Sequence, residues 1–230
     1  MNILFLITAR GGSKGIPKKN IKQFNGKPLI QYSIDLARMF AQDHDICVST
    51  DDEEIISVVN TLGLSVPFVR PAELATDTAS SYDVILHAIQ HYESAGIFYD
   101  AIILLQPTSP LRKEQHLRES LEQFDEATEM VVSVSEQEDP SYLFLEENAE
   151  GYLKKKYNLS YTRRQDAPKI YMYNGAIYIY AVSALKQKPV SEFTNIKKYV
   201  MDEYSSIDID TQMDWEIASL IDQKCKDGLL

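Results

Sequence analysis

Short apolar runs alternate with segments of helical spacing along the first 135 residues. "NILFLIT" (2–8), "DICVST" (45–50), "LSVPFV" (64–69), "AIILLQ" (101–106) and "EMVVSVS" (129–135) have the length and β-branched content of strands. Between them, 29–41, 52–62, 78–95 and 113–126 read as helices. In 78–95, Val84, Ile85, Ala88, Ile89 and Tyr92 fall on one helical face. Strands that are apolar throughout and separated by helices predict a mostly parallel sheet covered on both faces, an α/β fold. Right-handed crossovers then gather the strand-to-helix loops at one sheet edge, where such folds bind ligands.

The alternation stops after residue 135. Residues 136–170 are polar, dotted with tyrosines and without helical period, and read as an excursion from the sheet, a hairpin or an arm. "NGAIYIYAV" (174–182) resumes the core as a strand opened by a turn, followed by "KKYVM", "SSIDID" and a last helix. Thr211 is placed to cap that helix with Asp214 three residues on. Met213, Ile217, Leu220 and Ile221 give it an apolar stripe. No internal repeat or low-complexity stretch is visible, so the expected organisation is one domain over 1–230 with an arm inserted at 136–170.

Composition fits that picture: of 230 residues, 44% are hydrophobic and 25% charged, enough to bury a real core. Runs such as "AIILL" are far short of the roughly 20 residues that span a bilayer. The N-terminal run lacks a cationic flank and meets a glycine loop at once, so no signal peptide is expected. Cys47 and Cys225 lie far apart and form no metal-type cluster, which suits reduced thiols in the cytoplasm.

Charge adds the first hint of chemistry. The net charge is −11, yet residues 1–34 hold six Lys/Arg and no acid. The overall field repels nucleic acid and anionic membranes. A basic loop inside it, "TARGGSKGIPKKN" (8–20), is either a solvated lysine-rich turn or a site for a small, multiply charged anion. It matches neither the Walker nor the dinucleotide glycine pattern. Its physics is similar: Gly11, Gly12 and Gly15 allow close backbone approach, successive N–H groups can form an anion nest, and Arg10 can fork two phosphate oxygens.

Two further stretches carry polar chemistry. Asp208 and Asp210 in "SIDID" stand at i and i+2, which places both on one side of an extended chain, with carbons about 6–7 Å apart. They either share a Mg²⁺ with substrate phosphate oxygens or simply complement the following helix dipole. "TDDEE" (50–54) competes as an acidic site but looks more like helix capping. "LLQPTSPLR" (104–112) leaves a buried strand into a proline-stiffened loop, presenting Gln106, Thr108, Ser109 and Arg112 at the strand's carboxyl end, or else forms a rigid turn with a surface arginine.

Taken together, "ITARGGSKGIPKKN", "NGKPLI", "STDDEEI", "PFVRPAELATDTASS", "LLQPTSPLR", "RRQDAP", "NGAIYI" and "SIDID" stand in the order found in acylneuraminate cytidylyltransferases (CMP-sialic acid synthetases), and the chain resembles that family over roughly residues 3–222. The resemblance implies a Rossmann-like, three-layer nucleotidyltransferase fold. It implies an enzyme that joins CTP to a nine-carbon nonulosonic acid and releases pyrophosphate, with Mg²⁺ as cofactor. On that resemblance Arg10, Gly11, Gly12, Ser13, Lys19 and Asn20 hold the CTP triphosphate and nucleotide, Arg70 and Ser81 contact the cytidine nucleotide, and Gln106, Arg164 and Tyr178 serve the sugar. Arg164 faces the sugar carboxylate, Asp208 and Asp210 bind metal, and 136–170 is a dimerisation arm reaching the active site of a second copy. Arg10, Lys19, Asp208 and Asp210 are the expected catalytic set. Two departures stand out: Thr8 replaces a usual proline, and Met172-Tyr173 replaces an Arg-Pro pair beside the sugar, leaving N-acetylneuraminic, legionaminic and pseudaminic acids all open. A glycosyltransferase sharing the core, or a non-catalytic nucleotide-binding module, is the competing reading.

Overall fold

The computed structural model describes residues 1–230, the side chain of Arg164 excepted. Its strands are β1 (Ile3–Thr8), β2 (Gln23–Phe24), β3 (Lys27–Pro28), β4 (Ile46–Ser49), β5 (Ala101–Leu104), β6 (Met130–Glu138), β7 (Leu145–Glu147), β8 (Leu153–Lys155), β9 (Lys169–Ala181) and β10 (Ile196–Val200). The helices are α1 (Leu29–Arg38), α2 (Glu53–Thr61), α3 (Ser81–Ser94), α4 (Glu114–Glu122), α5 (Val182–Gln187) and α6 (Gln212–Lys226). The central sheet has the order β10-β6-β9-β5-β1-β4. It is parallel except for β9, which runs antiparallel to both β5 and β6 because the excursion at 136–170 turns the chain back on itself.

Alternate strand residues feed opposite faces, as a two-residue period requires. Phe5, Ile7, Val48, Ile103 and Val131 pack beneath α1, α2 and α4, while Leu4, Leu6, Cys47, Ile102 and Val132 pack against α3 and α5. Each such buried side chain contributes about 1.5–3 kcal/mol relative to exposure. Three layers result, in agreement with the sequence pattern.

Several expected elements differ. Residues 64–69 make only a single bridge, Thr50 with Val69, because Gly63 turns left-handed (φ 78°) and Pro67 has no N–H to donate. "SSIDID" is not a strand: Ser205 closes a turn on Asp202, and the following residues hang on one backbone bond, Ile209 N–H to the Thr108 carbonyl at 2.8 Å. Ile209 is nevertheless fully buried, so its neighbours Asp208 and Asp210 turn the other way. On α6 the buried face is Trp215 and Ala218, packed with Ile16, Phe24, Leu29 and Ile209; Met213, Ile217 and Leu220 are exposed. The Thr211–Asp214 capping box forms as read from the sequence. No described helix is long and apolar enough to cross a membrane.

The 136–170 stretch leaves the sheet as a ribbon. β6 and β9 pair on from Val134–Tyr173 to Glu138–Lys169, and β7 and β8 form a separate small hairpin. Where ribbon meets core, β9 carries an insertion: Val132 pairs with Tyr178 and Val134 with Tyr173, so residues 174–177 face a single residue, Ser133. Gly175 takes φ 76° there, and the Ser133 hydroxyl donates to Asn174 Oδ1 at 2.6 Å.

Candidate active site

The loop after β1 is fastened at both ends. Gly11 N–H donates to Asp51 Oδ1 at 3.1 Å, and Asn20 Nδ2 donates to the Arg10 carbonyl at 3.1 Å. Gly15 is required by close approach, since a β-carbon there would stand 2.1 Å from the Asp210 carbonyl oxygen. The left-handed Lys18 (φ 52°) opens a 3₁₀ turn at Lys19–Ile21. In "TDDEE", Asp52 caps α2 by accepting from Glu54 and Ile55 N–H, and Asp51 holds the basic loop, so capping and scaffolding are its observed roles.

Beside this loop lies a cavity of about 630 Å³. Arg10, Ser13, Lys19 and Asn20 line it from the loop, Arg70 and Ser81 from one side, Gln106 from the end of β5, and Asp208 and Asp210 from the segment before α6. Nine of the residues named from sequence therefore meet in one place, although they span more than 200 positions. Gly11 and Gly12 shape the loop without lining the cavity. Tyr178 is set back from the lining, its ring 6.1 Å from Tyr173 and 6.0 Å from Tyr180, and burial with Asp208 nearby pushes its hydroxyl up to about 12. The side chain of Arg164 lies outside the described residues.

The cations divide their work. Lys18 pairs with Glu54 at 2.6 Å and Lys22 stands 4.6 Å over the Trp215 ring, both facing away from the cavity lining. Lys19 is 12% exposed and donates to the Ile209 carbonyl at 2.6 Å and to Asp210 Oδ1 at 3.0 Å. Arg70 is buried at the end of β4, its Nε donating to Ser49 Oγ at 3.0 Å. Burial pulls its pKa down, with Asp51 opposing.

Asp77 was not legible from sequence. It is an acid in an ordinary polar loop, yet it pairs with Arg10 at 2.7 Å and with Lys14, the two holding its carboxyl below the usual range. A carboxylate thus sits on two cations of the basic loop. If this loop holds the CTP triphosphate that the sequence resemblance implies, Asp77→Asn tightens CTP binding roughly two- to fivefold, a modest gain because the pairs are exposed and screened. Calorimetric titration with CTP reads this directly; weaker binding would mean that Asp77 arranges the cations rather than competing for them.

Asp208 is the most constrained acid in the cavity. Burial pushes its carboxyl up; the Thr108 hydroxyl opposes this, and repulsion from Asp210 reinforces it. Among the described residues its buried Oδ1 has no hydrogen-bond partner. A buried carboxylate oxygen with an open coordination position, next to a second carboxylate, fits a hard divalent cation that takes its remaining ligands from phosphate and water. Among the described residues no group of three or more His, Cys, Asp or Glu converges as an all-protein metal cage. Ser109 and Arg112, read from sequence either as presented at the carboxyl end of β5 or as part of a rigid turn with a surface arginine, are both buried.

The family model for cytidylyltransferases matches residues 4–223. This chain belongs to the cytidylyltransferase family. The cytidylyltransferase is 32% identical over 232 residues to the CMP-N,N'-diacetyllegionaminic acid synthase of Legionella pneumophila, with both chains fully covered. It is 36% identical over 226 residues to the pseudaminic acid cytidylyltransferase of Campylobacter jejuni, covering 96% of each. Among solved structures, a CMP:2-keto-3-deoxy-manno-octonic acid synthetase complexed with CTP superposes with a TM-score of 0.71 at 18% identity, over 97% of this chain and all of that one, which supports the shared fold. The resemblance read from the motifs agrees with this membership.

Proposed function

We propose that this cytidylyltransferase transfers CMP from CTP to the anomeric hydroxyl of a nine-carbon nonulosonic acid, releasing pyrophosphate. The observation that carries the reading is the meeting of Arg10, Lys19, Arg70 and Ser81 with Asp208 and Asp210 in one cavity of an otherwise acidic protein. The names of the Legionella and Campylobacter relatives support a sialic-type acceptor.

Arg10, Ser13, Lys19 and Asn20 hold the triphosphate, and Arg70 and Ser81 the cytidine nucleotide. Gln106, Tyr178 and Arg164 serve the acid, the last through its carboxylate. The reaction needs in-line placement and charge neutralisation more than covalent help from the protein. Arg10 and Lys19 stabilise the charge that builds on the departing pyrophosphate. Asp208 and Asp210 would hold Mg²⁺, which supplies Lewis-acid polarisation of the α-phosphate. Cytoplasmic location belongs to the same proposal, as CTP is an intracellular substrate.

The arm belongs to it too. Leu143, Leu145, Tyr152 and Leu153 are each more than half exposed, far more apolar surface than a short hairpin leaves wet without reason. A homodimer in which each 136–170 arm covers the other copy buries it and brings Arg164 toward the shared site. Deleting most of the arm is expected to give a soluble monomer that binds CTP yet fails to complete transfer. Light scattering showing the intact, fully active protein to be monomeric at micromolar concentration would refute the exchange.

Pyrophosphate release tests the function: CTP with N-acetylneuraminic, legionaminic and pseudaminic acids in turn should give turnover with at least one acid. ATP and GTP should serve poorly. No release with any of the acids would contradict the reading.

A further inference from the structure

Arg112 is a buried cation that the proposed chemistry does not use. It is 6% exposed, and among the described residues its buried Nε has no partner. Among the described residues it forms no ion pair, and Asp208 is the one charge that acts on it. Burying an uncompensated guanidinium is unfavourable unless its hydrogen bonds are needed. Two of those bonds run to backbone carbonyls beside the candidate site and the third to Ser33 on α1. NH1 donates to the Gln106 carbonyl and to the Ala176 carbonyl, both at 2.8 Å, and NH2 donates to Ser33 Oγ.

The two carbonyls belong to segments that meet at the acid end of the cavity. Gln106 follows the end of β5, and its carbonyl also accepts from Ser109 N–H at 3.3 Å. Ala176 lies in the insertion of β9, next to the left-handed Gly175. A β-carbon on Gly175 would stand 3.1 Å from Gln106 Oε1 and 3.4 Å from Asp208 Oδ2, so the Gln106 amide and Asp208 both lie against the Gly175 turn. One nitrogen, NH1, holds both backbones, and the planar guanidinium fixes its place by bonding Ser33 through NH2; an ammonium on a flexible stem lacks that rigid second anchor.

We propose that Arg112 is a positioning residue for the acid sugar: by joining the Gln106 and Ala176 carbonyls it sets the Gln106 amide against the Gly175 turn. The role rests on the proposed function, in which Gln106 contacts the acid. It acts from behind the site, since Arg112 does not line the cavity.

The test is a double-mutant cycle of Arg112→Lys with Gln106→Ala, read by steady-state kinetics for both substrates and by calorimetry for CTP. Arg112→Lys should keep CTP affinity within about threefold and lower kcat/KM for the acid by at least about tenfold, chiefly through KM. In the Gln106→Ala background the same change should cost little more, because residues acting through one another are not additive. Full additivity, or equal losses toward CTP and acid, would show that Arg112 merely holds the fold. Should Arg112→Lys not fold, Ser33→Ala removes one acceptor of the same guanidinium and is read in the same cycle with the same criteria. Wild-type enzyme that releases no pyrophosphate overturns the function and this role together; normal wild-type turnover with additive losses overturns this role alone.

Discussion

Asp208→Ala is expected to lower kcat by at least about 100-fold while leaving the fold and CTP binding largely intact. That factor is a loss of about 2.7 kcal/mol of transition-state stabilisation, a modest share of what a metal-held phosphoryl site provides. The geometry explains why Asp208 should matter more than an ordinary acid. Among the described residues its Oδ1 is buried without a donor, and burial raises its pKa against the opposing Thr108 hydroxyl and Lys19. The fold should survive because the segment is anchored elsewhere, by Ile209 in the core and its N–H on Thr108. Rates measured across a Mg²⁺ titration, with circular dichroism as a control, check this. Near-normal Mg²⁺-dependent turnover in the Asp208→Ala variant would remove the carboxylate from the mechanism.

Lys19→Ala should cut kcat/KM for CTP by about 100-fold, the size expected when a preorganised charged donor to a developing anion is removed. Lys19 differs from the other lysines of its loop. It is largely buried and held by the Ile209 carbonyl and Asp210, so its ammonium is fixed before substrate arrives. The substitution also leaves that carbonyl and carboxylate without their donor. Lys14, which is 76% exposed, should matter far less. Steady-state kinetics with varied CTP separates the two variants; ordinary CTP use by Lys19→Ala would make the basic loop a solvated surface.

Much of this architecture could be read from the chain. The parallel strands β1, β4 and β5 are legible because each is a short, nearly continuous apolar run, and α3 because its buried residues keep helical spacing. The carboxylate pair was found through a two-residue period, which held although no strand formed: burial of Ile209, rather than a sheet ladder, enforces it. Other features left no local signal. Residues 64–69 look like a strand until Pro67 is asked for an N–H. The apolar stripe on α6 misleads because Trp215 and Ala218 occupy a different face, chosen by the Phe24 and Leu29 surface far away in sequence. Asp77 and the fork of Arg112 are tertiary facts: one acid and one arginine among many, made particular only by what the fold sets beside them.

The central claim is that the phosphorus atom attacked is the α-phosphorus of CTP and that it ends on the acid. CTP labelled at the α-phosphate, mixed with the enzyme, Mg²⁺ and the acid that supports pyrophosphate release, tests it in one step. The label should move into a product whose mass equals CMP joined to the acid, in one-to-one proportion with pyrophosphate. Label recovered only as CTP or free CMP, with the acid unmodified, would contradict the account.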